Sequence, residues 1–176
     1  MNLNTDLFYF INNGMSNPTF DLIMPHFTDL GGFVTLLSLC IIAIIICKRL
    51  KKDQYLKIAK MCLAALVLSG IIAACLKLAI HEPRPYTTLS HARQLLIPTE
   101  PNSFPSGHTS STFSVMTVLA NELWQYKKLV IALILFCILI AFSRVYCGIH
   151  YPLDVVVGAM VGIISGIIIL KLKVKF

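Results

Sequence analysis

The sequence contains little charge for its length. Of its 176 residues, 13% are charged and 57% are hydrophobic, and the mean hydropathy is +0.79. Soluble domains contain about 25% charged residues and about 45–50% apolar ones. The shortage of charged side chains argues against a soluble protein. It predicts a single membrane-embedded domain over residues 1–176.

The N-terminal segment has no Lys or Arg before Lys48. Because a secretory signal peptide begins with a basic segment, we expect no such peptide here, and we expect the first apolar span to direct membrane insertion. CxxC pairs are also missing, and five of the six cysteines lie in apolar runs, where Cys behaves as a small hydrophobic residue. We therefore predict no disulfide framework.

The net charge of +7 does not indicate a nucleic-acid-binding protein. Most of the basic residues flank apolar runs, where they set the orientation of the chain and contact anionic lipid head groups. The partner expected from this pattern is the membrane bilayer, not nucleic acid.

Long apolar runs dominate the rest of the chain. A helix needs about 20 residues to cross the hydrocarbon core of a bilayer. Five runs approach or exceed that length, at residues 31–47, 56–80, 107–123, 129–146 and 152–170. The predicted fold is an all-α integral membrane bundle of five or six transmembrane helices.

The segments between and before these runs are polar or short. Residues 7–11 and 20–27 are apolar but too short to span, so we predict short N-terminal helices that lie in the interface or cap the bundle. Residues 81–106 contain five prolines and predict a loop with short helical turns. Residues 122–128 predict a tight turn.

Basic residues are distributed unequally over the two sides of this bundle. With five spans, eleven Lys and Arg fall on one side, at residues 48–60, 127–128 and 171–176, and four fall on the other. Cytoplasmic segments carry the excess of Lys and Arg. We therefore predict a multi-pass protein of the plasma (inner) membrane, with the second side facing the periplasm or exterior.

The last run contains three glycines at intervals of four, Gly158, Gly162 and Gly166. Small residues at this spacing let another helix approach closely. We predict packing inside the bundle rather than a homodimer face, and we expect a monomer.

Three charged clusters interrupt this apolar chain on the predicted external side. A charged residue at the bilayer centre costs about 2.5–3.5 kcal/mol on insertion scales, so charges kept beside apolar helices indicate function. The clusters read Lys77-x6-Arg84-Pro85, Pro105-Ser106-Gly107-His108, and Ser143-Arg144-x5-His150-x3-Asp154.

The third cluster contains a candidate nucleophile. Pro152 suits the first turn of a helix, which places His150 just before the helix and Asp154 one turn further on the same face. A carboxylate there fixes one imidazole nitrogen and leaves the other free to attack phosphorus. Arg144, at the end of the preceding span, can return to the same pocket and bind phosphate with its planar fork.

The second cluster predicts a helix N-terminus that binds phosphate. Ser106 is a candidate N-cap, and Gly107 lets a ligand approach the free backbone N–H groups. His108 is a candidate general acid for the leaving oxygen. Lys77 and Arg84 of the first cluster add two more cations for the phosphate.

A metal site is the alternative interpretation of some of these residues. Cys147 and His150, together with His81 and His91, are possible ligands, but a closed ligand set at ordinary spacing is missing. We therefore predict no metal and no cofactor.

Taken together, the three clusters resemble the signature of the type 2 phosphatidic acid phosphatase family, K-x6-RP, PSGH and SR-x5-H-x3-D, with a match at every specified position. The resemblance implies a metal-independent phosphoric ester hydrolase. It implies that His150 forms a phosphohistidine, that Asp154 orients it and that His108 protonates the leaving group. The phosphate oxygens would be held by Lys77, Arg84, Ser106, Gly107 and Arg144. Vanadium-dependent haloperoxidases share this pocket, but they are soluble.

The function predicted from the sequence is a lipid phosphatase of a small bacterial type. Its candidate substrates are lipid A 1-phosphate, phosphatidylglycerol phosphate, undecaprenyl pyrophosphate and phosphatidate. We expect residues 86–104 to select the head group, with Arg93 meeting a second phosphate or a sugar. The alternatives are a non-catalytic lipid-binding or scaffold protein and a small transporter, although the inverted repeats typical of transporters are not visible.

Overall fold

The computed structural model describes residues 2–172, and these residues form a helical bundle. Within that range the only strand-like pairing is an isolated bridge between Pro83 and Asn102. The helices are α1 Leu3–Tyr9, a π-helical turn Phe10–Gly14, α2 Pro18–Asp29, α3 Phe33–Arg49, α4 Asp53–Ile80, α5 Pro85–Thr88, α6 Gly107–Glu122, α7 Lys127–Tyr146 and α8 Pro152–Lys171. The basic tail beyond Leu172, predicted to be cytoplasmic, lies outside the described residues.

The all-α membrane fold predicted from the apolar runs is confirmed. Each of the five runs forms one helix, from α3 to α8, with the short α5 inside the predicted loop. Local chemistry sets several of the boundaries. The Asn17 side chain accepts from the Phe20 N–H at the start of α2, and Pro152 occupies the first turn of α8.

Fewer helices than predicted are long and apolar enough to cross a membrane alone. In residues 2–172 these are α4, α7 and α8, with a fourth span if α2 and α3, bent by 51° at their junction, count as one. The prediction of five or six spans counted two shorter helices, α3 with 17 residues and α6 with 16. The α6 helix is also rich in Ser and Thr, which lowers its hydropathy.

The α6 helix lies at the centre of the bundle and packs closely against α8. A Cβ atom on Gly158 would lie 2.7 Å from the Ser106 carbonyl oxygen, and one on Gly162 would lie 2.5 Å from that of Ser110. The glycines therefore let two backbones touch, and the prediction that they pack inside the bundle is confirmed. Several hydroxyls of α6 donate to carbonyls of their own helix, as Ser114 does to Ser111 at 2.8 Å, whereas Thr109 donates to the Ser106 hydroxyl at 2.9 Å.

The N-terminal helices cap one end of the bundle. The buried Asn12 side chain donates to the carbonyls of Arg93 and Tyr146 at 3.0 and 2.8 Å, and accepts from the Arg93 N–H at 2.8 Å. Asp21 forms an ion pair with Arg93 and accepts from the Tyr146 hydroxyl. These contacts show the capping that was one of the two predicted placements.

These contacts correct the role expected for Arg93. Its guanidinium binds Asp21 and the Asn12 carbonyl oxygen, and it lies over the Tyr146 ring with 5.8 Å to the ring centroid. The hydrogen bond to Asp21 raises the pKa of Arg93. Arg93 therefore joins the long loop to the N-terminal helices, and it does not line the cavity that contains the other predicted cations.

Candidate active site

Four helix ends converge at the capped end of the bundle. The C-termini of α4 and α7 and the N-termini of α6 and α8 meet there. They surround a cavity of about 730 Å³, and six of the eight residues predicted for the site line it, namely Lys77, Arg84, Gly107, His108, Arg144 and His150. The other two, Ser106 and Asp154, are buried beside them.

His150 and Asp154 form a buried pair at the start of α8. The His150 Nδ1 lies 3.2 Å from the Asp154 Oδ2, which also accepts from the Tyr151 N–H at 2.9 Å. The Asp154 carbonyl oxygen accepts from the Ser106 N–H at 3.0 Å. This last bond connects the second and third sequence clusters directly.

The neighbours of His150 determine which ring nitrogen carries the proton. Arg84 Nη1 lies 3.4 Å from His150 Nε2, and because a guanidinium only donates hydrogen bonds, Nε2 is the acceptor. The proton of the neutral ring is then on Nδ1, facing Asp154. The lone pair of Nε2 therefore faces the Arg84 cation, and both residues line the cavity.

The surroundings of His150 also keep its ring neutral. Burial, followed by the positive charges of Arg144, Arg84 and Lys77, lowers the pKa of His150 well below its usual value of 6.5. A neutral imidazole retains the Nε2 lone pair that nucleophilic attack requires.

Arg84 is fixed by backbone oxygens. Its Nε donates to the Glu100 carbonyl oxygen at 2.9 Å and its Nη1 to that of Ile149 at 2.8 Å. Burial lowers the pKa of Arg84, but the ordinary pKa of a guanidinium group is so high that Arg84 remains a cation. A guanidinium has five N–H donors, so donors remain for a ligand in the cavity.

Lys77 and Arg144 supply two further cations. Lys77 Nζ donates to the Asn102 carbonyl oxygen at 2.8 Å and lies 3.4 Å from the Glu100 carboxylate. Arg144 is 5% exposed, and its Nη1 donates to the Thr28 hydroxyl at 3.0 Å. Its Nε has no hydrogen-bond partner in residues 2–172. A buried cation with so few partners is costly, and a phosphate oxygen would compensate it.

The N-terminus of α6 is open to the cavity. Ser106 caps the helix through the Thr109 N–H at 3.4 Å, and a Cβ atom on Gly107 would meet nothing within 4 Å in the described part of the chain. An anion can therefore approach the first N–H groups of α6. The His108 ring lies close to Gly32, where a Cβ atom would be 3.3 Å from its Nε2.

Two residues of the site were not predicted from the sequence. Ser103 is fully buried; its hydroxyl donates to Asp154 Oδ2 and lies 3.4 Å from His150 Nδ1. Glu100 lines the cavity beside Lys77. Both lie in the proline-rich loop, and neither has a sequence spacing that would connect it to the histidine or the lysine.

The residues of the metal alternative do not gather in the structure. Across residues 2–172, no group of three or more His, Cys, Asp or Glu side chains is placed to hold a metal ion.

The sequence matches a family model described as the PAP2 superfamily over residues 58–176. The bacitracin transport permease protein BcrC of Bacillus licheniformis is 29% identical, over 95% of this chain and 79% of that protein. The undecaprenyl-diphosphatase BcrC of Bacillus subtilis is 34% identical over 62% of this chain, a match that covers 52% of that protein. The matched region therefore spans only about half of the second relative.

Two solved structures share the fold. The Aquifex aeolicus LpxE crystal structure has a TM-score of 0.80 and 35% identity, over 97% of this chain and 96% of that chain. The first transmembrane PAP2 type phosphatidylglycerolphosphate phosphatase from Bacillus subtilis has a TM-score of 0.79 and 24% identity, over 99% and 89% of the two chains. The chain therefore belongs to the PAP2 superfamily and is a multi-pass membrane protein of its lipid phosphatase family.

Proposed function

We propose that this protein hydrolyses a phosphate ester or pyrophosphate on a membrane lipid head group, through a phosphohistidine at His150. The observation that carries the proposal is the pair of ring contacts at His150. Its Nδ1 faces Asp154 and its Nε2 accepts from Arg84, on the wall of a cavity that contains two more cations.

The first step transfers the phosphoryl group to the enzyme. Nε2 of His150 attacks phosphorus, the P–N bond forms, and the bond from phosphorus to the lipid oxygen breaks. His108 gives its proton to that oxygen, so that the lipid leaves as an alcohol or as a lipid phosphate. Asp154 stabilises the cationic ring of the intermediate through Nδ1–H.

The second step releases phosphate. His108, now neutral, accepts a proton from a water molecule as that water attacks phosphorus. The P–N bond breaks, its electron pair returns to His150, and inorganic phosphate is free to leave. Both steps place negative charge on the equatorial oxygens, where Lys77, Arg84, Arg144 and the N-terminus of α6 act as preorganised donors.

The rate is expected to depend on pH with two limbs, because His150 attacks as a neutral ring and His108 donates a proton. The lowered pKa of His150 means that its ring stays neutral as the pH falls below 6.5. The acid limb is therefore expected well below pH 6.5. The alkaline limb reports the loss of the proton from His108. Burial and the nearby Arg144 cation also lower the pKa of His108, so this limb is expected at lower pH than for an ordinary histidine.

The lipid chains are proposed to enter from the side. The cavity wall includes Phe33 and Val34 of α3 and Gly70, Ala73 and Ala74 of α4, so an apolar path leads from the cations towards the lipid-facing surface. The basic turn between α3 and α4 lies at the opposite end of the bundle. The distribution of Lys and Arg supports an external location of the site in the plasma (inner) membrane.

A panel of lipids in detergent would test the activity. We expect the purified protein to release inorganic phosphate from at least one of undecaprenyl pyrophosphate, lipid A 1-phosphate, phosphatidylglycerol phosphate and phosphatidate. The name of the Bacillus subtilis relative puts undecaprenyl pyrophosphate first. His150→Ala is the control, with no release expected. Absence of release from every lipid, with a folded protein, would contradict the proposal.

Transport is the second candidate function, because one relative is named a permease. Transporter sites typically lie near the bilayer midplane between repeats, whereas this cavity lies at one end of the helices. Uptake into vesicles without phosphate release would favour transport.

A further inference from the structure

Among residues 2–172, Ser103 is the one residue whose hydroxyl contacts both His150 and Asp154. Its hydroxyl donates to Asp154 Oδ2 and lies 3.4 Å from His150 Nδ1, and the residue has no exposed surface. None of the three sequence clusters contains it. It lies 47 positions before His150 and 51 before Asp154.

The backbone around Ser103 is fixed by the segment that carries Arg84. The Ser103 N–H donates to the Glu82 carbonyl oxygen at 2.7 Å, and the adjacent Asn102 forms the isolated bridge with Pro83. The Asn102 carbonyl oxygen in turn accepts from Lys77. The position of the hydroxyl is therefore set by the same loop contacts that place two of the cations.

The carboxylate of Asp154 shows why this hydroxyl matters. Its Oδ2 receives the Ser103 hydroxyl, the His150 Nδ1 and the Tyr151 N–H, whereas its Oδ1 has no partner in residues 2–172. A buried carboxylate without water depends on such donors to remain ionised. With all three donors on one oxygen, the loss of one removes a large part of its stabilisation.

We propose that Ser103 is a positioning residue for the phosphoryl-transfer reaction. Its hydroxyl keeps Asp154 ionised and directs Oδ2 at Nδ1 of His150, so that Nε2 faces the phosphate and the cationic intermediate is stabilised. The inference rests on the proposed function, because it assigns Ser103 to the same nucleophile.

Ser103→Ala tests this role. Losing a hydrogen bond to a charged group is expected to lower kcat by about 10- to 100-fold, with a smaller change in KM. In Ser103→Ala the acid limb of the kcat profile is expected at higher pH than in the wild type, because Asp154, with one donor fewer, takes up a proton before His150 does and then sets this limb in place of the His150 ring. Ser103→Cys refills the space with a weak donor. We expect kcat to fall and the acid limb to move to higher pH, as in Ser103→Ala, but with a smaller loss of kcat.

Ser165→Ala is the matched control. Ser165 is a buried serine of α8 whose hydroxyl donates only to the Val161 carbonyl oxygen, at 2.8 Å, among the described residues. We expect a wild-type kcat and acid limb for this variant. An acid limb at the wild-type pH in both Ser103 variants would overturn the proposal, whatever their rates. An inactive wild-type protein would instead contradict the proposed function.

Discussion

The two ends of the bundle are built from different side chains. At the end with the basic turn, the core is apolar and comprises Leu36, Cys40, Ile58, Met61, Cys62, Ala65, Leu66, Val118 and Ile169. At the other end, a smaller apolar cluster of Met24, Tyr146, Cys147 and Ile149 lies beside many buried polar or charged residues, which include Arg84, Ser103, Ser106, Thr109, Arg144, His150 and Asp154. The same helices α4, α6 and α8 run through both ends.

Because of this difference, one end of the helices mainly stabilises the fold and the other end mainly carries out the reaction. Apolar contacts at the first end depend on shape and tolerate exchange of similar volumes. The polar end depends on a network in which each buried group needs its partner, so that removal of one leaves another unsatisfied. Substitutions at the polar end should therefore affect turnover most, and substitutions at the apolar end should affect unfolding.

The largest loss of activity among four comparisons is expected for His108→Ala. Removing a general acid lowers the rate by about 10²- to 10⁴-fold, and the alkaline limb of the pH profile should disappear with it. Steady-state phosphate release from pH 4 to 9 measures both (a range that brackets the usual histidine pKa of about 6.5). His26→Ala, at an exposed position of α2, is the control. A variant that keeps the wild-type rate and alkaline limb would remove His108 from the mechanism.

Arg144→Lys is expected to cause the second-largest loss of activity. It keeps the positive charge but loses the planar fork that binds two phosphate oxygens at once. Loss of a preorganised donor typically costs about 10²- to 10³-fold in kcat. Arg49→Lys, at the exposed end of α3, repeats the change at the other end of the bundle and should be neutral. Equal activity of the two variants would show that Arg144 contributes only charge.

Glu100→Gln is expected to change the activity less than the two previous substitutions. Unlike them, it should strengthen the binding of phosphate. The Glu100 carboxylate lies 3.4 Å from the Lys77 ammonium group, on the cavity wall, so an incoming phosphate competes with it. Exposed ion pairs contribute about 0.2–1 kcal/mol, so inhibition by inorganic phosphate should become up to about fivefold stronger. Glu122→Gln, at the other end, is the matched control. Weaker inhibition in Glu100→Gln would mean that the carboxylate helps phosphate to bind.

The smallest effect on activity is expected for Leu66→Ala. Leu66 is fully buried in the apolar core, and its truncation leaves a cavity that costs about 2–5 kcal/mol of stability. Thermal unfolding in detergent should therefore occur at a lower temperature, while kcat and KM measured well below that temperature stay at wild-type values. Leu39→Ala, on the exposed face of α3, controls for the lost side chain. A large fall in kcat would show that the two ends are coupled.

Much of the helical framework was predictable from the sequence, because apolar runs bounded by Pro, Gly or basic residues have local causes. The start of α8 is one case, where Pro152 and the spacing of His150 and Asp154 belong to one turn. The capping role of the N-terminal helices was left open. It depends on Asn12 and Asp21 reaching loop and α7 residues far along the chain, and sequence periodicity contains no information on such contacts.

The candidate site was predictable to a similar extent. The clusters are short enough for their internal spacing to indicate which side chains share a helix face or a helix start. Ser103 and Glu100 contact the site through the folded path of a proline-rich loop, whose conformation depends on contacts with α4 and α8. The span prediction included α6, which at 16 residues is the shortest of the five helices and buries several hydroxyls by bonding them to its own backbone, a feature that hydropathy alone does not describe.

The central claim is that His150 is the residue that becomes phosphorylated. Rapid quenching of the reaction under alkaline conditions, followed by mass spectrometry of the peptides that contain His108 and His150, tests it most directly. The mechanism predicts a phosphoryl group on His150 during turnover in the wild type, and neither that group nor phosphate release in His150→Ala. Phosphate on another side chain, or continued turnover by His150→Ala, would contradict it.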